Sequence, residues 1–220
     1  LGEQSPPPIP LPQGEGECFR GPRLRIIALQ SHLAGPFDLA LNAGECLAIT
    51  GPSGSGKSLF LRMVADLDPN QGEVFLDSVE RRSLPAHEWR RKVVYSAAEP
   101  GWWHEGVADH FDAAAMDFAR ATAPRLALAA ALLDGQVVQL STGERQRMAL
   151  LRALALRSPV LLLDEPTGAL DEASTTLVED VLRERLAVGV TIAMVTHSAA
   201  QAVRLGHRHL RMADRHLVLA

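Results

Sequence analysis

The stretch Gly51-Pro52-Ser53-Gly54-Ser55-Gly56-Lys57-Ser58 constrains this chain more than any other. It fits the spacing G-x-x-x-x-G-K-S/T, in which glycines let the backbone turn tightly and aim successive N–H groups at phosphate oxygens. Lys57 adds positive charge at the outer phosphates, and the Ser58 hydroxyl is suited to hold magnesium. The flanks separate this reading from a plain Gly/Ser turn. Cys46–Thr50 is a short apolar run of buried-strand type, and the residues from Leu59 to Ala65 carry helical spacing. Bound phosphates would then sit on a helix N-terminus, with Leu59 in its first turn.

A chain of 220 residues, 47% of them hydrophobic, makes one large domain or a domain with a small lobe. The net charge of -4 gives no broad basic face, so no nucleic-acid partner is expected. Cys18 and Cys46 lie far apart, and Cys46 falls in a predicted core strand, which argues against a disulfide and for a reducing cytoplasm. The N-terminus lacks the pattern of a secretory signal. The most apolar long stretch, Ala113 to Leu133, is broken by Asp117, Arg120, Pro124 and Arg125 and fails as a membrane span. Any work at a membrane would go through a partner.

Residues 1–22 are rich in Pro, Gly and Glu and read as a flexible tail, either plainly disordered or a strip for a proline-binding groove. The ordered domain is expected over 23–220. Strands are predicted at Leu24–Leu29 and Phe37–Leu41, the latter with the alternation of an antiparallel sheet. After the breaker cluster Asp68–Gly72 come strands at Glu73–Asp77 and Lys92–Ser96. Arg81, Arg82, His87 and Arg90 between them read as a solvated helix face. Residues 97–158 read as a small helical lobe inserted in the α/β core, with an aromatic knot at Trp102-Trp103-His104 and a helix from Arg145 to Arg157. Val160–Leu163 and Val190–Thr196 have the unbroken apolarity of buried parallel strands, with a helix from Ala173 to Leu186 between them. The fold class is therefore α/β: a mainly parallel sheet, an N-terminal antiparallel part and a small inserted helical lobe.

Three polar groups follow three predicted core strands: the phosphate loop, Asp164-Glu165 and His197. At the carboxyl edge of a parallel sheet they would converge. Asp164 is placed for magnesium, which takes few carboxylates plus phosphate and water. Glu165 is placed to polarise an attacking water, and His197 to hold that water or base at the terminal phosphate.

The order Gly51–Ser58, Leu140-Ser141-Thr142-Gly143-Glu144-Arg145-Gln146-Arg147, Val160–Pro166, Ala169-Leu170-Asp171 and His197 resembles the ATP-binding subunit of an ABC transporter, from about Leu24 to the C-terminus. The most diagnostic element, Leu140–Glu144, resembles the family's L-S-G-G-Q/E signature. The resemblance implies a phosphate-loop ATPase with ATP and magnesium as ligands, working as a homodimer or paired cassette. Ser141, Gly143 and Glu144 of one copy would face the phosphate loop of the other, and Asp171 would line the seam. It assigns Glu165 as catalytic base, His197 as the switch histidine and Lys57 as a catalytic cation. It also implies a separate transmembrane permease, which would hold the subunit on the inner face of the cell membrane.

The chain departs from the pattern in three places. Tyr95-Ser96-Ala97-Ala98-Glu99-Pro100 carries Ala98 where the family has a glutamine that touches magnesium and water; either Glu99 substitutes or turnover is slower. Thr142 replaces the first signature glycine. Between Ile26 and Phe37 only His32 offers a ring for adenine. Trp102 and Trp103 lie where the family's cassette receives its membrane partner, and are expected either to contact it or to pack inside the lobe. The remaining histidines, His207, His209 and His216 among them, lack metal-ligand spacing and read as surface residues. Ala98 keeps open an alternative function, a nucleotide-dependent dimer switch with weak hydrolysis regulating a membrane partner. A DNA-maintenance or translation ATPase fits poorly: one cassette is present, and about 80 residues without heptads separate loop from signature.

Overall fold

The computed structural model describes residues 21–220. All but the last two positions of the predicted tail, Cys18 among them, lie outside the described residues. The chain runs β1 (Leu24–Gln30), β2 (Phe37–Leu41), β3 (Cys46–Thr50), α1 (Lys57–Val64), β4 (Gln71–Leu76) and β5 (Val79–Glu80). It continues through α2 (Ala86–Lys92), β6 (Val93–Ser96), α3 (Ala113–Thr122), α4 (Thr142–Ala155) and β7 (Val160–Asp164). It ends with α5 (Glu172–Ala187), β8 (Thr191–Val195), α6 (Ala199–Leu205), β9 (Arg208–Ala213) and β10 (His216–Leu219).

The strands form two sheets. One, ordered β2-β1-β4-β5, is antiparallel throughout. The other, ordered β10-β9-β3-β8-β7-β6, is parallel except where β10 returns along β9. The predicted parallel core with an antiparallel N-terminal part is thus found. β7 and β8 are buried at every position, as strands covered on both faces must be. Their alternate residues feed two apolar clusters. Leu162, Ala193 and Val195 join Leu47, Ile49, Phe37, Phe60 and Trp89 on one face, beneath the antiparallel sheet and α1. Leu161, Leu163, Ile192 and Met194 join Phe118, Leu151 and Leu182 on the other, beneath α3, α4 and α5.

Between residues 97 and 141 the described chain holds one α-helix, α3, and 3-10 turns at Ala108–His110, Ala123–Leu126, Ala130–Asp134 and Val137–Gln139. Pro124 and Asp134 fall in those turns, which is how they interrupt an Ala-rich segment. The adjacent tryptophans divide their roles: Trp102 packs against the core, and Trp103 is 64% exposed. Arg152 of α4 stacks over both rings, at 4.7 and 4.6 Å.

The structure corrects three expectations and adds three C-terminal elements. Gln71 and Gly72 belong to β4 rather than to a breaker. They face an irregularity in β1, where Ala28 has φ 47° and donates its N–H to Asp38 Oδ1 at 2.9 Å. A Cβ on Gly72 (φ 90°) would lie 2.3 Å from the Ala28 carbonyl oxygen, so this strand position requires glycine. Little in the sequence marks the C-terminal α6, β9 and β10; β9 mixes exposed Arg and half-buried His with buried Leu210 and Met212, a weak apolar signal for a strand paired on both sides. His209 is not simply a surface residue, since its Nε2 lies 2.9 Å from Thr50 Oγ1.

Arg81 is not solvated either: it is 4% exposed. Its guanidinium donates to Met63 O at 3.0 Å and Asn70 Oδ1 at 2.7 Å, and Nε lies 3.4 Å from Asp66 Oδ1. It therefore ties the end of α1 to the turn that starts β4. Arg81→Met should fill the space but strand these acceptors, lowering unfolding free energy by about 2–3 kcal/mol in a denaturant titration; an unchanged midpoint would show the tie to be dispensable.

Candidate nucleotide site

β3, β8 and β7 are sheet neighbours with parallel register, so their carboxyl ends share one edge. At that edge Gly51 has φ 141°, and a Cβ on it would lie 2.5 Å from Met212 O on β9, so the loop leaves the sheet pressed against its neighbour. Lys57 begins α1 at 5% exposure and donates Nζ to the carbonyls of Gly51 at 2.9 Å and Pro52 at 2.8 Å. Burial lowers the pKa of this ammonium, while Glu165 and Asp164 oppose the shift. Two neutral carbonyls only partly satisfy a buried cation, so an anion arriving at the loop gains by engaging it.

Asp164 closes β7 and is 4% exposed. Its Oδ2 accepts from the Tyr95 hydroxyl at 3.0 Å, while Oδ1 is buried without a hydrogen-bond partner. Burial and the neighbouring Asp164 charge push the Tyr95 phenol pKa up, which keeps it a donor. An orphaned carboxylate oxygen beside the phosphate loop fits a hard divalent cation such as magnesium.

Glu165 sits in the left-handed region at φ 49°, a conformation that costs a non-glycine residue roughly 1 kcal/mol or more. Hydrogen bonds hold it there. Its N–H donates to Val195 O at 3.0 Å, and its carbonyl accepts from Gln146 Nε2 at 2.6 Å. Its carboxylate then meets His197: Nε2 to Oε1 is 2.7 Å. The fully buried Gln201 fixes the neighbouring loops, accepting from Thr196 Oγ1 at 2.8 Å and donating to Thr167 Oγ1 at 2.9 Å. A cavity of about 460 Å³ opens over the phosphate loop, with Ser58, Leu59, Glu165, His197, Leu33 and Arg215 in its lining.

The remaining sequence-predicted residues stand outside that cavity. Ser141 is the N-cap of α4 in a reciprocal box: Ser141 Oγ accepts from Glu144 N at 3.3 Å, and Glu144 Oε2 accepts from Ser141 N at 2.9 Å and Oγ at 2.7 Å. Gly143 follows in the first turn of α4. Asp171 caps α5 by accepting from Ser174 N at 2.7 Å, a bond that holds its carboxyl below the usual range. Neither cap nor Gly143 lines the 460 Å³ cavity of the same chain.

Residues 35–168 match the ABC transporter family. The chain belongs to that family. It is 36% identical over 216 residues to the lipoprotein-releasing system ATP-binding protein LolD of Nitratidesulfovibrio vulgaris, covering 89% of each chain. It is 36% identical over 205 residues to the thiamine import ATP-binding protein ThiQ of Salmonella paratyphi A, covering 86% of this chain and 85% of that one. In fold it is similar to the dimeric post-hydrolysis ATP-binding cassette MJ0796 bound to ADP and Pi, with a TM-score of 0.78 at 24% identity over 88% of this chain and 96% of that one. As a family member the chain is an ATP-binding subunit with ATPase activity.

Tyr95, Gln146, Gln201, Leu33 and Arg215 escaped the sequence reading. Tyr95 was legible in principle, since a hydroxyl at the end of a strand beside an Asp-terminated strand has a natural acceptor. Arg215 left no signal, because the turn that carries it was not foreseen. His32, the ring singled out for adenine, is exposed and does not line the cavity.

The box at α4 sets a pH signature. Hydrogen bonds from Ser141 hold the Glu144 carboxyl below its ordinary range, so its contribution is present above the unfolded-state pKa and fades as pH falls through the lower folded value. Ser141→Ala should cost about 1 kcal/mol near neutral pH, with the difference from wild type shrinking below about pH 4 in thermal melts. A difference independent of pH would remove Glu144 from the account.

Proposed function

We propose that this subunit binds magnesium–ATP across a head-to-tail pair of cassettes and hydrolyses it to drive a separate transmembrane permease. The observation that carries this reading is the convergence of the phosphate loop, Asp164, Glu165 and His197 on one sheet edge, while Ser141 and Gly143 are not in the lining of the cavity over the loop. Phosphates rest on the backbone N–H groups of the Gly51–Ser58 loop, with Ser53, Gly54, Ser55 and Gly56 at the turn; Pro52, which has no N–H, shapes that turn, and Leu59 continues the helix behind them. Lys57 turns from the loop carbonyls to the outer phosphates. Ser58 and the unpartnered oxygen of Asp164 would hold magnesium, which when bound would draw charge from the terminal phosphate. Glu165 accepts a proton from the attacking water, and His197 fixes its carboxylate. Ser141, Gly143 and Glu144 of the second copy close the site, a helix N-terminus offered to the phosphates in trans. Asp171 lies at the seam.

No described helix is long and apolar enough to cross a membrane. On the proposed reading the permease supplies the membrane contact, with the subunit peripheral on the cytoplasmic face. The groove of about 320 Å³ lined by Arg90, Pro100, Trp103 and Arg152 is the surface proposed for its docking segment.

A second reading rests on Ala98. It lines a cavity of about 550 Å³ with Glu99 and Glu165, and a methyl side chain has no donor or acceptor with which to engage a metal or a water. On this reading ATP closes the pair and is turned over slowly, which makes the subunit a switch. One experiment addresses both. Magnesium-dependent ATPase is measured for wild type, Glu165→Gln and Ala98→Gln. A loss of about 10²–10⁴ in kcat for Glu165→Gln, with ATP still bound, is expected for the base. Equal rates would refute that role, and a rise in kcat for Ala98→Gln would favour the switch.

A further inference from the structure

We propose that Arg215 is the residue on which the base of the bound nucleotide stacks, with Leu33 as its apolar neighbour. The proposal rests on reading Gly51–Ser58 as the phosphate cradle, and it assigns the part of the site that carries no aromatic ring. The segment between β1 and β2, residues 31–36, contains no Phe, Tyr or Trp. What it brings to the cavity is Leu33, 43% exposed. Arg215 comes from the opposite end of the chain. β9 pairs with β3, so the turn that follows β9 emerges at the same edge as the phosphate loop. A Cβ built on Gly56 would lie 4.0 Å from Arg215 Cγ, which puts the stem of the side chain against the cradle itself.

The backbone at this turn is informative. β9 and β10 are joined by two residues, Asp214 and Arg215, with φ 47° and 63°. Both central residues of such a tight turn are left-handed, which suits Asx-Gly. Asp214 conforms. Arg215 occupies the position glycine takes without strain, and a long cationic side chain held there points to what that side chain touches. Its Nη1 donates to Leu33 O at 2.8 Å, and its carbonyl accepts from Gly35 N at 3.2 Å. The guanidinium is thereby fixed at the cavity wall. A planar, weakly hydrated guanidinium stacks on aromatic faces, and a nucleobase offers one. Leu33 adds apolar contact beside it.

The rival account is that Arg215 only pins the segment around Leu33 to the turn, or only adds positive charge. Equilibrium binding of ATP and of inorganic tripolyphosphate, which has the charge but no base, separates these accounts. The chains compared are wild type, Arg215→Gly and Arg215→Lys, each with its melting temperature. Arg215→Gly relieves the turn and should melt no lower than wild type, yet bind ATP about tenfold more weakly while tripolyphosphate stays within twofold. Arg215→Lys keeps the charge without the plane and should bind ATP as poorly as Arg215→Gly. ATP affinity unchanged in both variants, ATP and tripolyphosphate weakened together, or full ATP affinity in Arg215→Lys would each overturn the proposal. If wild type bound neither ligand, the phosphate-cradle reading itself would fail, a result distinct from the other three.

Discussion

The functional contacts of this protein depend on the parallel register that pairs both Leu47 of β3 and Leu162 of β7 with Ala193 of β8. That register places Gly51, Asp164 and His197 at one sheet edge although more than a hundred residues separate the first from the other two. A slip of one residue in any of these strands would turn its buried side chains to the opposite face. Because both faces are covered by apolar clusters, such a slip is costly, and the packing that stabilises the core also aligns the site.

Several local costs fall where function would use them. Glu165 and Arg215 hold left-handed backbone, Lys57 is buried on neutral carbonyls, and Asp164 has an unpaired buried oxygen. Three of the four are held by neighbours remote in sequence: Gln146 and Val195 for Glu165, Leu33 and Gly35 for Arg215, Tyr95 for Asp164. A site with its polar groups already oriented has little left to reorganise when charge develops on a phosphate. The network around Gln201 extends this order to the loops after β7 and β8, tying Thr167 to Thr196.

What the sequence made legible were groups whose chemistry is local. The phosphate loop declares itself by glycine spacing, the buried strands by unbroken apolarity, and the α4 cap by Ser141 with Glu144 three residues on. What escaped depends on tertiary placement. Arg81 sits in a polar run and looks solvated, yet the chain folds it under the end of α1. β9 alternates arginine and histidine with leucine and methionine, and only its pairing with β3 makes it a strand beside the site. Arg215 belongs to a turn whose importance comes from the loop it meets. A pattern within one segment says which face is apolar; it does not say which distant segment will cover the other.

The central claim is that half of each site comes from a second copy, and mixing two defective chains tests it. One chain carries Lys57→Ala, which disables its phosphate loop; the other carries Ser141→Arg, which blocks its signature. Each alone should be inactive, because each of its paired sites contains one damaged half. Mixed, they should recover magnesium-dependent ATPase, since one site in every mixed pair joins an intact loop to an intact signature. Recovery that rises and then falls with the ratio of the two chains is the predicted result. Mixed pairs that assemble and remain as inactive as the separate chains would contradict a site shared between copies.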